Sequence, residues 1–394
     1  MTAYAAANAL GGDTQSVVVA LRNGRSGLGP CPLPLPFAAP SGAMAEPLPP
    51  LPARLSAYDS RTARLALIPL VEVLPAVRAA IARHGADRVG LVLGTTTAGL
   101  ARTEDAYHQL AQTGALPEDY DIYRQHSFGG LVEVVRAVAS IGGPSYVVST
   151  ACSASAKAIG SAQRLLQGGT VDAVLVGGVD GLCQTTLRGF HSLQILSAQP
   201  CRPFGAERNG INIGEGAAYL LIERAGDAAV RLLGVGESSD AFHMSAPHPE
   251  GLGALAAMTQ ALTRAGLAPR DVGHINAHSP GTKLNDHSEA RAITALFGGA
   301  ARDTQECNGD GPVVVSTKAY TGHLLGAGGA TEAIFAIVAL EQGWIPASLG
   351  ADPIDPALGI DVATTGRDLR CDAVMSNSFA FGGSNVSVVF GRAA

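Results

Sequence analysis

Lysine is nearly missing from this chain: Lys157, Lys283 and Lys318 are all it has among 27 basic residues in 394. Lysine is therefore not the default surface charge, and the net charge of -6 argues against indiscriminate nucleic-acid binding while leaving room for a local basic patch. Six cysteines, Cys31, Cys152, Cys183, Cys201, Cys307 and Cys371, fall in no CxxC pair and in no Cys/His array with zinc spacing. Disulfide and metal readings are both weak, and a reduced, cytoplasmic setting is expected. No run approaches the roughly 18 apolar residues of a membrane span, and Met1 to Asn23 lacks a basic head followed by an apolar stretch. What is present is 47% hydrophobic residues against 15% charged, with 49 glycines. That is a dense interior with many tight turns, in a chain long enough for two domains unless one layered architecture absorbs it.

The stretch Val147 to Lys157 reads VVSTACSASAK. Its β-branched apolar start predicts a buried strand, and AKAIGSAQRLLQGG predicts a helix closed by Gly168-Gly169. Cys152 then sits at a strand-to-helix turn, where unpaired N–H groups and the helix dipole favour an ionised, nucleophilic thiol. The plainer alternative is a small buried apolar side chain.

Upstream, MTAYAAANALGG offers at most a clipped strand before the helix-like TQSVVVALRNGRSGL. Gly29 to Pro52 is rich in proline, which predicts an extended surface segment packed on its own domain. Apolar spacing from Ser60 to His84 predicts one or two buried helices. Three elements then recur in the same order. VVST occurs at 147–150 and 314–317; each is followed by a small-residue helix and a strand opening on Asp-Ala-Val, at 172 and 372; and RVGLVLGTTTAG is answered by VGHINAHSPGTK. The pattern predicts duplicated βαβ units with a largely parallel sheet in each half. Ligands collect at the carboxyl ends of such strands, where Cys152, His278, Lys318 and Phe381 would emerge.

Neutral imidazoles at His278 and His323 would donate N–H to one carbonyl oxygen and stabilise an enolate as it forms. Lys318 calls for a partner, and Glu332 lies on the next predicted helix. The pair is either structural or orients His323. In NSFAFGGSN, Gly382-Gly383 lets the backbone approach a ligand and aim the Phe381 N–H at an oxyanion.

Six ordered motifs carry a resemblance: STACSASAK, CRPFGAERNGINIGEGAAYLLIE, DAFHMSAPHPEG, NAHSPGTKLND, STKAYTGHLLGAGGATEA and NSFAFGGSN. Together they resemble the elongating β-ketoacyl-[acyl-carrier-protein] synthases, condensing enzymes of the thiolase fold. The resemblance implies a thiolase-like α/β fold: duplicated βαβ halves in an α-β-α-β-α sandwich, residues 1–227 bearing the nucleophile and 228–394 the two histidines. It implies that Cys152 takes an acyl chain from a carrier protein's phosphopantetheine arm, with the Cys152 and Phe381 N–H groups as oxyanion hole. Malonyl carrier protein is then decarboxylated with help from His278 and His323. Lys318 and Glu332 would support His323, Phe381 would gate the second substrate, and no cofactor would be held by the chain itself.

The chain departs from the family pattern in places. Ser279-Pro280 replaces a glycine and threonine, leaving Thr282, so that one contact to the arm is either lost or replaced by Ser279, and Ser245 stands where threonine is usual. The usual amino-terminal strand is shortened or absent. Two alternatives remain: a non-catalytic chain-length partner subunit, which would typically lose the nucleophile, and a degradative thiolase, which would carry a second cysteine near NSFAFGGSN. Initiating synthases would have asparagine at His323. An acidic carrier implies a basic rim, for which Arg54, Arg61, Arg64 and Arg202 are candidates. The family's dimers imply a dimer here, homomeric or with a paralogue, in fatty acid assembly or a specialised pathway such as aryl polyene or polyketide synthesis.

Overall fold

A computed structural model describes residues 1–298 and 311–393, so Cys307 lies outside the described residues. The first sheet holds β1 (Ala3–Asn8), β2 (Val89–Gly94), β3 (Ser145–Val148), β4 (Ala173–Asp180) and β5 (Gly216–Glu223), in the order β1-β5-β4-β2-β3. The chain then enters a second sheet through β6 (Val230–Ser239), β7 (Val272–Asn276) and β8 (Val313–Val315). A two-residue ladder, β9 (Trp344–Ile345) with β10 (Arg367–Asp368), stands apart. β11 (Ala373–Phe379) and β12 (Ser384–Arg392) complete the second sheet in the order β6-β12-β11-β7-β8. Strand for strand, the second sheet repeats the first.

The repeated motifs fall on equivalent strands: β2 with β7, β3 with β8, β4 with β11. The sheets are mixed rather than largely parallel. β4-β2-β3 and β11-β7-β8 run parallel, while β5 and β1, and likewise β12 and β6, are antiparallel additions. The reason in the second half is local, because FGGSN closes a tight β11–β12 hairpin in which Gly382 (φ 84°) and Gly383 (φ 74°) take the left-handed backbone that glycine tolerates.

The amino-terminal strand is not clipped. Ala3 to Asn8 pairs with β5 over six residues. Alanine has weak strand propensity, but Ala5 and Ala7 face one core and Ala6 the other, and their small size lets helices pack on both faces.

The first half carries helices α1 (Thr14–Arg22), α2 (Arg61–His84), α3 (Leu100–Thr113), α4 (Phe128–Ala139), α5 (Ala154–Gln167) and α6 (Gln184–Ser192). The second carries α7 (Leu252–Ala265), α8 (Lys283–Phe297), α9 (Lys318–Thr321) and α10 (Gly328–Gln342). α2 and α4 cover the outer face of the first sheet, α7 and α8 that of the second, and α5 with α10 fills the space between. The result is the five-layered α-β-α-β-α sandwich. α10 is buried from Gly328 to Leu340, which explains why its sequence is apolar on every side.

α2 corrects the expectation about membrane spans. At 24 residues, with mean hydropathy 1.9 over its best window, it is long and apolar enough to cross a membrane. In the fold, its Leu65, Leu70, Val73 and Val77 are buried in the core cluster against the first sheet.

The middle layer depends on one close approach. A Cβ at Gly329 of α10 would lie 2.7 Å from the backbone nitrogen of Ala156 on α5, and the Ala330 N–H donates to Ser155 Oγ at 2.8 Å. Gly329→Ala should therefore lower unfolding stability by about 1–3 kcal/mol through overpacking. Gly189→Ala, on exposed α6 with nothing within 4 Å of its Cβ, should leave stability unchanged or raise it by up to about 1 kcal/mol. Chemical denaturation of the two variants checks the contrast.

Candidate active site

Cys152 lies between β3 and α5, after Ala151, whose φ of 51° is strained for a residue with a side chain. Cys152 is 8% exposed, and the backbone N–H groups of Phe381 and of Cys152 itself are directed at its sulfur. Burial pushes the thiol up to about 11, with the Lys318 charge and these N–H groups opposing it. The expectation that the turn makes the free thiol more easily ionised is thus reversed, because desolvation outweighs the helix end.

β7 delivers His278 and the turn after α9 delivers His323. Their rings meet edge to face at 5.2 Å, and Cys152 Sγ with one ligating nitrogen from each lies in a set within 4.8 Å of one another. Residues far apart in the chain share one small volume because β3, β7 and β8 all end on the same side of the sandwich. Both imidazoles are held well below the usual histidine range, first by burial and then by the Lys318 charge; His323 adds to the effect on His278. Among the described residues, His278 Nδ1 and both ring nitrogens of His323 have no hydrogen-bond partner. Buried polar atoms are rarely left so. Neutral rings with free nitrogens suit a site that receives a polar substrate atom. The same three side chains could ligate a metal ion.

Lys318, 1% exposed, pairs with Glu332 and donates to the His278 carbonyl at 2.8 Å. The lysine reaches the His278 backbone and not the His323 ring, which corrects the expected route of support. Burial raises the Glu332 carboxyl and Lys318 pulls it back. His323 is held instead by backbone bonds, its N–H to Asn212 at 2.7 Å and its carbonyl from Gly214 at 3.0 Å.

The sequence reading missed Glu289, the anchor of the His278 loop. Its carboxylate accepts from the His278 N–H at 3.0 Å, the Ser279 N–H at 2.7 Å, the Ser279 hydroxyl at 3.0 Å and Asn377 Nδ2 at 3.1 Å. The one signal for it is an acid eleven residues after a histidine, which no local pattern marks. Ser279 is fully buried and its hydroxyl hydrogen is taken by Glu289, so it does not stand in for the missing threonine as a contact to a substrate arm. Asp180 was also missed. It accepts from Thr95, Thr96, Thr97 and the Ala327 N–H, joining the β2 and β4 loops to the approach to α10.

Thr282, Ser245, Lys283 and Phe381 together line an open cavity of about 630 Å³. Gly382 and Gly383 line no part of it; their N–H groups donate to the carbonyls of Met244 and Ala380 at 2.9 and 3.0 Å. Phe381 meets Phe190 edge-on at 6.0 Å. The expected basic rim is largely neutralised: Arg61 pairs with Glu215 and Glu46, Arg64 with Asp59, and Arg202 with Glu207 at 2.6 Å. Arg54 donates to the Ala137 carbonyl at 3.3 Å.

A layered sandwich of duplicated sheets, with a buried thiol and two imidazoles where their strands end, defines a thiolase-like condensing enzyme. The models for the beta-ketoacyl synthase N-terminal and C-terminal domains match residues 53–228 and 229–352, and the chain belongs to the beta-ketoacyl synthase family. It is an acyltransferase that extends an acyl chain by decarboxylative condensation to a 3-oxoacyl product. The 3-oxoacyl-[acyl-carrier-protein] synthase 2 of Staphylococcus aureus is 33% identical over 347 residues, 84% of this chain and 83% of its own length. That of Synechocystis is 34% identical over 77% of this chain and 75% of its own. Among solved structures, a chain of the Xenorhabdus doucetiae ketosynthase in complex with its chain length factor is 39% identical, with TM-score 0.91, covering all of this chain and 97% of that one. The ishigamide ketosynthase/chain length factor matches at 27% identity and TM-score 0.87, covering all of this chain and 98% of that one.

Two outcomes follow from the electrostatics. With the thiol near 11, alkylation of Cys152 by iodoacetamide should climb about tenfold per pH unit from pH 7 to pH 10, read by mass spectrometry of its peptide. Glu289→Gln puts an amide where buried N–H groups need an acceptor, and should cost about 1–3 kcal/mol of stability in a denaturant melt.

Proposed function

We propose that this chain is the catalytic, elongating subunit of a 3-oxoacyl-[acyl-carrier-protein] synthase, and that Cys152 carries the growing acyl group. The observation that carries the reading is the convergence of Cys152 Sγ with the ring nitrogens of His278 and His323 within 4.8 Å. In the first stage the Cys152 sulfur attacks the carrier-bound thioester, and the N–H groups of Cys152 and Phe381 receive the oxyanion. The carrier's pantetheine thiol leaves. In the second stage a malonyl thioester enters past Phe381, and the neutral imidazoles donate to its carbonyl oxygen. Carbon dioxide departs, and the enolate carbon attacks the acyl group on Cys152. Cys152 leaves as the thiolate and takes a proton from water to regenerate the thiol, and the product is a 3-oxoacyl thioester on the carrier.

Lys318 and Glu332 serve the site by holding the His278 loop, since the ammonium bonds the His278 carbonyl. Thr282 and Ser245 are the hydroxyls that meet the pantetheine arm, a reading supported by their lining one cavity with Phe381. The arm arrives on the carrier, so the chain needs no cofactor of its own, and cytoplasmic carrier proteins set its location. Residues 1–227 and 228–394 act as two half-domains, one supplying the nucleophile and the other the histidines.

A dimer is the proposed assembly. β3 is an edge strand whose residues are all partly exposed, whereas its equivalent β8 is buried and bridged at Val314 by Val362. An open edge of this kind invites pairing with a second chain. The likeness to two ketosynthase and chain length factor complexes favours a paralogous partner and a specialised pathway over a homodimer in primary fatty acid synthesis. The non-catalytic alternative, in which this chain is itself the chain-length subunit, is disfavoured by the complete Cys152, His278 and His323 set.

Cys152→Ala should abolish formation of the acyl-enzyme from acyl carrier protein, seen as loss of the acyl mass adduct, without lowering the melting temperature; an adduct that persists refutes the nucleophile. His323→Ala should slow malonyl decarboxylation by about 100-fold or more, measured as release of carbon dioxide.

A further inference from the structure

The proline-rich segment has no part in the chemistry above, yet it is fastened to both sides of the site. At its base the Ser26 hydroxyl donates to the Ala319 carbonyl and the Gly27 N–H to the Tyr320 carbonyl, each at 2.7 Å. Gly29 and Ser41 exchange two backbone hydrogen bonds, and Gly42 bonds Ile213 and Glu215. A Cβ at Gly42 would lie 1.9 Å from the Thr321 oxygen, so only glycine passes there. Ala319, Tyr320 and Thr321 belong to α9, and Ile213 is bridged to His323 on the turn that follows it.

From the base the strap runs out over α6. Cys31, Leu33, Leu35 and Phe37 turn inward while Pro32, Pro34 and Pro36 are exposed. Alternate prolines fix φ and lower the entropic cost of staying extended. The first turn of α6 is held by Glu104, which accepts from the Gln184 and Thr185 N–H groups, but Leu187 is its one buried residue and its carboxyl end has the strap over it. At the tip of the strap, Phe37 lies flat on His191, ring centroids 3.7 Å apart and planes at 4°. The next residue back, Phe190, meets Phe381 edge-on at 6.0 Å.

We infer that residues 27–42 form a brace between the His323 turn and the Phe381 gate, and that Phe37 is a positioning residue acting through His191 and Phe190 on Phe381. The inference rests on reading Phe381 as the gate to Cys152. Removing the stack frees the carboxyl end of α6, which bears Phe190, and the gate then opens more often. An aromatic pair is worth about 0.5–1.5 kcal/mol, or about two- to tenfold in an equilibrium.

The test is the rate at which a bulky maleimide labels Cys152, quantified by peptide mass spectrometry, in single and double variants. Phe37→Ala and His191→Ala should each raise the rate about two- to tenfold, and the double variant no further; Phe37→Tyr, which keeps the stack, should restore it. Phe381→Ala alone should raise labelling, and adding Phe37→Ala to it should change nothing. Equal increases with and without Phe381, or no increase from Phe37→Ala while Phe381→Ala does increase it, overturns the brace and leaves the gate standing. No increase from Phe381→Ala removes the gate and the brace with it. Phe37→Leu keeps the apolar packing without the stack. Should Phe37→Ala melt early, Phe37→Leu and the exposed His191→Ala carry the same test.

Discussion

The active site exists because two helices can touch. α5 and α10 fill the layer between the sheets, and at Gly329, Ala156 and Ser155 they approach too closely for a side chain to intervene. The carboxyl end of the first sheet's edge strand is thereby brought beside those of the second. Cys152 comes from one sheet, His278 and His323 from the other, and a bulkier contact between the helices would part them. A Cβ at Gly94 of β2 would likewise meet Ser155 N at 2.2 Å, so the α5 start is pressed against its own sheet as well. The run of small residues around STACSASAK and GAGGATEA serves this approach as much as it serves the chemistry.

Once brought together, the groups are governed by loss of water. Burial raises the Cys152 thiol and lowers both histidines, leaving the resting site without charge on any of the three. The Lys318 charge acts on each in the same sense, favouring a thiolate and disfavouring imidazolium. Its own cost of burial is offset by Glu332 and the His278 carbonyl. A neutral imidazole with an unpartnered nitrogen is ready to donate to an oxygen that acquires charge only during the reaction, which is where such a bond stabilises most.

Much of this was legible beforehand. Strand-to-helix turns at Cys152 and Lys318, the buried pairing of Lys318 with Glu332, the repeated elements and the layered sandwich all follow from local pattern and from motif. The mixed pairing of the sheets and the full length of β1 do not. Alanines at 5–7 have their meaning set by what packs against them, and a sequence holds that information only in the partner segments.

The same division runs through the site. Which residues can do chemistry was set by the chain itself, because thiol, imidazole and ammonium reactivity belongs to residue type and the turns that present them are local. Tertiary structure alone decided their states and their support: Glu289 reaches the His278 loop across the α8 turn, Ser279 is consumed by that bond, Arg61 is spent on Glu215, and desolvation reverses the expected ionisation of Cys152. The reason is that dielectric environment and hydrogen-bond partnership depend on every neighbour in space, whereas propensity and periodicity depend on neighbours in sequence.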